Sequence, residues 1–375
     1  MEGWKGFKKI SVVRKNAASF VKKFAFSTVI KTLALLFFLA ITYTSCQPNH
    51  AAQLAFYYWK TQFALSDVEK NHLDALRVNK LYVKFFDITW DAGKAMPVPV
   101  AEVEGLEMEK WRNWGNGKLE ITPCIFITNQ TFQQIAADQI EWLSERVQEK
   151  LAELKPENMS FREIQFDCDW TASTREKYFQ FLAIFKKNNG KPQPEVCATI
   201  RLHQFRDFPE TGVPPVDRGM LMFYNTGDVE DWNEENSILN LEAAKFYLKP
   251  NISYPLPLDL ALPLFSWGVL FRDGRMIRLI NNLRSENLAD TSRFLKIADN
   301  RFEVVKSTYL NGYYLYKDDR IRTEAIDTQR LLKAVDLLNG KLKNPSPTVA
   351  FYHLDTATIK YFPHEFLEKI IPAFR

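Results

Sequence analysis

Apolar and polar positions alternate in a regular order along the chain beyond residue 50. Runs rich in β-branched and aromatic residues cover 54–59, 80–88, 119–128, 163–170, 195–203, 219–225, 256–267 and 348–354. Short runs of this kind, bounded by polar or turn-forming residues, predict strands. Stretches of helical period lie between them. From Ser66 to Leu76, Val68, Leu73 and Leu76 share one face, and Ser66 with Glu69 has the spacing of a capping box. Further helices are predicted over 131–154, 174–188, 231–247 and 328–342. Eight strands alternating with helices imply a parallel sheet covered on its outer face. Closing that sheet on itself gives an α/β fold of the (β/α)8 TIM-barrel type.

Strand starts fall 24 to 44 residues apart until the seventh run, after which 92 residues separate Leu256 from Thr348. The excess predicts a small insertion between strands 7 and 8, at about 285–327. Within it, the segments starting at Arg301 and at Tyr309 have strand patterning, and Asn311-Gly312 is a hairpin turn signal. No Gly/Ser/Pro-rich linker interrupts 54–375, so a single barrel domain is expected there.

The chain has 375 residues, 46% of them hydrophobic and 25% charged, enough to bury a large core. Its net charge of +4 is unevenly placed. Residues 1–45 hold eight Lys/Arg against the single acid Glu2, and the rest carries 41 basic against 44 acidic residues. A body of that balance lacks the basic stripe that phosphate neutralisation requires, which argues against nucleic acid as a partner.

The basic segment leads into an apolar run from Thr32 to Ile41, short for a membrane span but suited to a signal-peptide core. Thr42-Tyr-Thr-Ser-Cys46 and a polar Gln-Pro-Asn-His follow. This resembles the loose lipobox of Bacteroidota lipoproteins, with Tyr43 departing from the usual aliphatic residue. The resemblance implies a signal peptide over 1–45, acylation of Cys46 by palmitate-type chains, a linker over 46–53 and the barrel over 54–375. Membrane contact would then run through the N-terminal lipid, in a bacterial cell envelope at the outer membrane. An uncleaved anchor helix over 29–42 is the alternative. Cys124, Cys168 and Cys197 sit in apolar runs without a CxxC pair and are expected to be buried thiols.

In a barrel of this type the chemistry lies at the C-terminal strand ends. The fourth run, Glu163-Ile-Gln-Phe-Asp-Cys-Asp-Trp-Thr171, puts Gln165, Asp167, Asp169 and Thr171 on one face by strand alternation. Mutual repulsion between Asp167 and Asp169 should raise the pKa of one of them. The run resembles the fourth strand of family 18 glycoside hydrolases, the chitinase-like barrels, which ends in DxxDxDxE. Asp167 and Asp169 match the second and third Asp, and Trp170 the aromatic before the Glu. Ile164 replaces the first Asp, and Thr171 stands where that family has its proton-donating Glu. The sixth run adds Met222-Phe-Tyr-Asn225, which looks like the same family's MxYD/N motif. The resemblance implies catalytic roles for Asp167, Asp169 and Tyr224, and contact between Asn225 and a substrate acetamido group. Loss of the Glu implies loss of general acid catalysis, about 10² to 10⁴ in rate, unless another acid such as Asp169, Asp87 or Asp228 serves.

Other strand ends supply substrate-binding candidates. Thr199, Arg201 and His203 share a face on the fifth run, and Arg201 has the charge to neutralise Asp169. Asp87 shares a face with Phe85 on the second run, and Trp90 and Asp91 are expected in the loop after it. Tyr58, Trp59, Trp170 and Trp267 fall near strand ends, where rings could stack on sugar faces, although core packing is an equal use for such residues. The sequence has no Walker A, GxGxxG, HExxH or GxSxG motif and only five scattered histidines. No nucleotide, cofactor or metal is therefore expected. Three functions follow: a glycoside hydrolase-like protein that acts on or binds a glycan, an N-acetylhexosamine polymer being one such ligand; a non-catalytic glycan-binding or envelope-assembly lipoprotein that has lost its acid; or a purely structural interaction protein.

Overall fold

The structure is a computed structural model that describes residues 52–106, 119–157, 159–188, 193–249, 253–342 and 344–370. The expectations for the signal segment and Cys46 lie outside the described residues. Eight parallel strands form a closed barrel: β1 (Gln53–Tyr58), β2 (Lys80–Asp91), β4 (Glu120–Ile127), β5 (Glu163–Asp167), β6 (Glu195–Arg201), β7 (Arg218–Met222), β8 (Leu258–Pro263) and β16 (Thr348–Tyr352). Closure comes from β1, which pairs with β16 through Ala55↔Ala350 and with β2 through Tyr57↔Tyr82. Strand β3 (Met96–Val100) folds back antiparallel on the extended end of β2. Trp90 and Asp91 therefore lie within a strand and not in a loop.

The strands read as near-continuous apolar runs because helices cover the outside and side chains fill the inside. All six residues of β8 are buried. The lumen holds Ala55, Tyr57, Tyr82, Cys124, Cys197, Met220, Met222, Tyr224, Ala261 and Ala350. At its N-terminal end Lys80 Nζ meets Glu163 Oε2 at 2.7 Å, and Arg218 Nη1 meets Asp259 Oδ2 at 3.3 Å. Charge is thus paired at the floor, and the strand ends at the opposite face are left for function. Cys124, Cys168 and Cys197 are free and buried.

The helix Asp67–Ala75 begins with the Ser66–Glu69 capping box, in which both reciprocal bonds are present. Two other helices differ from their expected extents. The segment 131–154 is broken, because Ile135 leaves helical geometry at φ −62°, ψ 139° and buries its side chain before a helix restarts at Ile140–Leu154. Only Leu241–Tyr247 of the segment 231–247 is helical. Side chains of a neighbouring sheet bind the backbone of the preceding loop, which replaces the helical hydrogen bonds.

That sheet is the insertion. Strands β9 (Ser266–Arg272), β10 (Arg275–Asn281), β11 (Phe294–Ala298), β12 (Arg301–Val304) and β15 (Arg320–Ala325) pair antiparallel in the order β10-β9-β15-β12-β11. A separate hairpin joins β13 (Thr308–Leu310) to β14 (Tyr313–Leu315) through Asn311 and Gly312, both at positive φ. The added sheet begins at Ser266, well before residue 285. The apolar run 256–267 thus contains a whole barrel strand and the start of a strand in another sheet, both largely buried and so alike in composition. The module has its own core around Leu270, Ile280, Phe294, Phe302, Val304 and Ile321.

Candidate functional site

Asp167 ends β5 with its carboxylate pointing into the barrel mouth, and its side chain is 8% exposed. From the adjacent strand, Thr199 Oγ1 donates to Asp167 Oδ1 over 2.6 Å, and Arg201 Nη2 approaches the same oxygen at 3.2 Å. Arg201 Nε also donates to Asp169 Oδ1. Asp169 lies past the strand end and is 56% exposed. One guanidinium therefore spans both carboxylates, one buried and one wet. Burial pushes the Asp167 carboxyl above its ordinary value, against the opposing pull of Arg201 and Thr199.

Gln204 fixes this arrangement. Its Oε1 accepts from the Arg201 backbone N–H at 2.8 Å, and its Nε2 donates to the Trp170 carbonyl at 3.2 Å. It thereby ties the end of β6 to the segment after β5.

Thr171 is engaged in a local turn. Its N–H donates to Thr174 Oγ1 at 2.9 Å, its carbonyl accepts from Arg175 N at 2.9 Å, and its hydroxyl sits 2.9 Å from Ser173 Oγ. This turn opens the helix Arg175–Asn188 and offers no acid.

A wall of rings faces these charges. Tyr57 stacks on Tyr82 at 5.0 Å between centroids and donates from its hydroxyl to Gln165 Oε1 at 2.7 Å. Tyr352, at the end of β16, lies 5.6 Å from Tyr57, 5.9 Å from Trp59 and 5.7 Å from Tyr224. Phe265 meets Tyr224 edge-on at 5.9 Å. Trp59, Phe265 and Tyr352 keep part of their surface in solvent, whereas Tyr57 and Tyr224 are buried. Burial raises the Tyr224 hydroxyl well above its ordinary value, and Arg201 beside it works the other way. The phenol stays protonated and donates to Met222 Sδ at 3.7 Å.

The second strand contributes two groups. A β-bulge between Lys84 and Phe86 changes the alternation of β2, so that Phe85 and Phe86 both enter the outer core. Asp87 consequently does not share a face with Phe85. Lys84 Nζ pairs with Asp87 Oδ2 at 2.7 Å, and Asp87 Oδ1 is buried without a hydrogen-bond partner among the described residues. Asp87 also contributes to the field at Asp167 and at Tyr352. An unpaired buried acceptor is costly and suits a donor brought by a ligand.

Asp167, Asp169, Arg201, Tyr224, Asp87 and Trp59 converge at the mouth. His203 sits on the short helix Leu202–Arg206 with its side chain exposed. Partial desolvation on the side that faces the protein still holds its pKa below the ordinary value, with Asp169 raising it and Arg201 lowering it. Asn225 follows β7 with a left-handed backbone at φ 54°, is exposed, and donates from its N–H to the Ile238 carbonyl at 2.6 Å.

Three candidates make contacts other than those expected. Tyr58 is turned outward by strand alternation, packs on Phe63 at 5.0 Å and donates to the Gln62 carbonyl. Trp170 is 1% exposed among Tyr178 and Phe179, with Nε1 donating to the Thr211 carbonyl. Trp267 does not end a barrel strand. It belongs to β9, packs on Phe265 at 5.2 Å and donates to Glu324 Oε2 at 3.0 Å.

Lys84, Phe265 and Tyr352 join the site without a motif of their own; Tyr352 ends β16, where a ring at the barrel mouth is expected. Among the described residues no group of three His, Cys, Asp or Glu side chains is placed to hold a metal ion.

No family model matches the chain, and no curated protein matches it. Among solved structures it is similar to the spore cortex-lytic enzyme SleL of Bacillus megaterium, at 14% identity and TM-score 0.55 over 87% of this chain and 75% of that one. It is also similar to a chitinase from Chromobacterium violaceum, at 12% identity and TM-score 0.50 over 85% and 99%. The Group IV chitinase of Ostrinia furnacalis matches at 11% identity and TM-score 0.51 over 86% and 99%. At such identities the likeness is one of fold: a closed parallel barrel of the chitinase-like type.

Proposed function

We propose that this chain is a glycoside hydrolase-like barrel that binds a glycan at its mouth without cleaving it, with N-acetylhexosamine units as the preferred sugars. The carrying observation is the Arg201 bridge between Asp167 and Asp169, set against the ring wall of Trp59, Phe265 and Tyr352. The guanidinium pulls the buried Asp167 carboxyl toward its ionised form, against the upward push of burial, and that pull is the opposite of what leaving-group protonation needs. Thr171 has no proton to give at useful pH, and its hydroxyl is committed to a turn. Partly exposed rings beside a free acceptor on Asp87 suit a pyranose, whose C–H face packs on an arene while its hydroxyls donate.

The same reading takes the chain as exported and lipid-anchored through Cys46 at a bacterial outer membrane. Its support is the sequence of residues 1–50. Replacing Cys46 by Ala should leave the protein extractable without detergent; unchanged detergent dependence argues for an uncleaved anchor helix.

A second reading, hydrolysis with Asp167 as the acid, is favoured by the upward push that burial exerts on its carboxyl. Calorimetry with N-acetylhexosamine oligomers separates binding from its absence. The wild type should bind, and Trp59→Ala should weaken the affinity about tenfold. Equal affinity in the variant, or no heat of binding in the wild type, contradicts the mouth as the site.

A further inference from the structure

The added module carries an aromatic surface that the mouth does not use. Tyr309, Tyr314 and Tyr316 are 69%, 44% and 52% exposed. Their rings stand edge to face in series, Tyr309 to Tyr314 at 5.0 Å and Tyr314 to Tyr316 at 5.0 Å. The series continues through Arg272, whose guanidinium lies 4.3 Å from the Tyr316 ring and whose Nε and Nη2 bind Asp319. The residues flanking Arg272 open into a cavity of about 290 Å3 lined by Trp232, Phe271, Asp273, Gly274, Asp318 and Arg320.

This cavity is built on a fixed frame. Arg301 donates to the Trp232 carbonyl through Nε at 3.2 Å and Nη2 at 3.0 Å. The buried Arg322 holds the Val229 and Asp231 carbonyls, and Glu324 accepts from Ser237 N and Ile238 N. Phe271 meets the indole edge-on at 5.2 Å. Rings exposed on a rigid hairpin lose little entropy on binding, which favours their use as platforms.

We propose that the tyrosine series and the Trp232 cavity form a second glycan-binding surface, which takes a strand whose sugars carry carboxylates. Pyranose faces would lie on Tyr316, Tyr314 and Tyr309, with one sugar in the cavity, its hydroxyls meeting Asp273, Asp318 and Arg320. Charge supports the acidic strand. Residues 266–325 hold eleven basic against eight acidic side chains, whereas the rest of the chain beyond residue 45 holds 30 against 36. Two of the cations, Arg272 and Arg278, already lie over Tyr316 and Tyr313. The inference rests on the glycan reading of the mouth but uses different residues.

The test is co-sedimentation of the full chain with purified peptidoglycan, whose sugars carry carboxylates on their attached peptides, alongside calorimetry with soluble neutral N-acetylhexosamine oligomers. Trp232→Ala and the double change Tyr314→Ala/Tyr316→Ala should each lower the sedimented fraction about tenfold and leave oligomer affinity unchanged. The tyrosines are surface positions, so the double variant keeps the test valid if Trp232→Ala misfolds. Wild-type retention in both variants overturns the inference, as does a parallel loss of oligomer affinity. Binding to anionic phospholipid vesicles, or a dimer in light scattering, that is lost with the same tyrosines would assign the surface to a membrane or to a second copy and also overturns it. If oligomers bind while peptidoglycan retention ignores the tyrosines, this inference fails alone. If oligomers do not bind while the tyrosines still govern retention, the mouth reading fails alone.

Discussion

Thr199 Oγ1 donates to Asp167 Oδ1 over 2.6 Å between neighbouring parallel strands, where the barrel buries a carboxylate beneath its mouth. A hydrogen bond to a buried charge is worth more than one between neutral groups. Thr199→Val keeps the shape and removes the donor. It should cost about 1.5 to 3 kcal/mol in urea unfolding, with the Asp167 carboxyl pushed further up. A change within error would mean that Arg201 alone compensates the charge.

Arg201 is the heavier partner, because it serves two carboxylates. Arg201→Met leaves Asp167 buried and uncompensated, a type of change that costs about 3 to 5 kcal/mol. Adding Asp167→Asn should recover much of the loss, since Asp169 is half in water and needs little help. Additive losses in the double variant would show that the two side chains stabilise the barrel independently.

Much of this was legible in the sequence. All eight barrel strands fall on runs visible in the apolar pattern, because strands buried on both faces cannot be polar. The Ser66–Glu69 capping box was visible too, being a purely local device. Failures occurred where tertiary partners override local pattern. Tyr58 and Trp170 sit beside mouth residues in sequence, but alternation and a turn send them into the outer core. The bulge in β2 is invisible in Lys84-Phe-Phe-Asp87, where either phenylalanine could face inward. Arg320-Ile-Arg-Thr-Glu324 has the look of a solvent-facing strand, yet Arg322 and Glu324 are both fully buried as a pair.

That pair makes a prediction of its own. Glu324 accepts from Arg322 Nε at 2.6 Å, Ser237 N and Oγ at 2.7 Å and Trp267 Nε1 at 3.0 Å. Glu324→Leu should destabilise by about 3 to 5 kcal/mol by stranding Arg322. The double variant with Arg322→Met should be less destabilised than the single one, as read from chemical denaturation. Equal or worse loss would locate the stabilisation in the loop contacts.

Stability should also fall on acidification through the histidine range. Burial holds His353 below its ordinary 6.5, with Lys60 also lowering it and Asp355 opposing, and burial lowers His72 as well. Below pH 6.5 the unfolded chain takes up protons that the folded chain refuses, so unfolding becomes easier as pH drops from 6.5 toward the folded values. Asp167 acts with the opposite sign at lower pH, since its raised pKa favours the folded state below the unfolded 3.8 and that gain is lost as pH rises through the folded value. Melting scans between pH 7.5 and 5.5 should show a falling Tm, and His353→Gln should flatten the slope. An unchanged slope would leave His72 and His203 as the titrating groups.

The central claim is that the mouth holds a glycan and leaves it whole. The most direct measurement is mass spectrometry of N-acetylhexosamine oligomers after overnight incubation with the full chain at a concentration where calorimetry shows them bound. The account predicts intact oligomers at wild-type saturation and no new products. Shorter oligomers that disappear with Asp167→Asn would contradict it and make the protein a hydrolase with Asp167 as its acid.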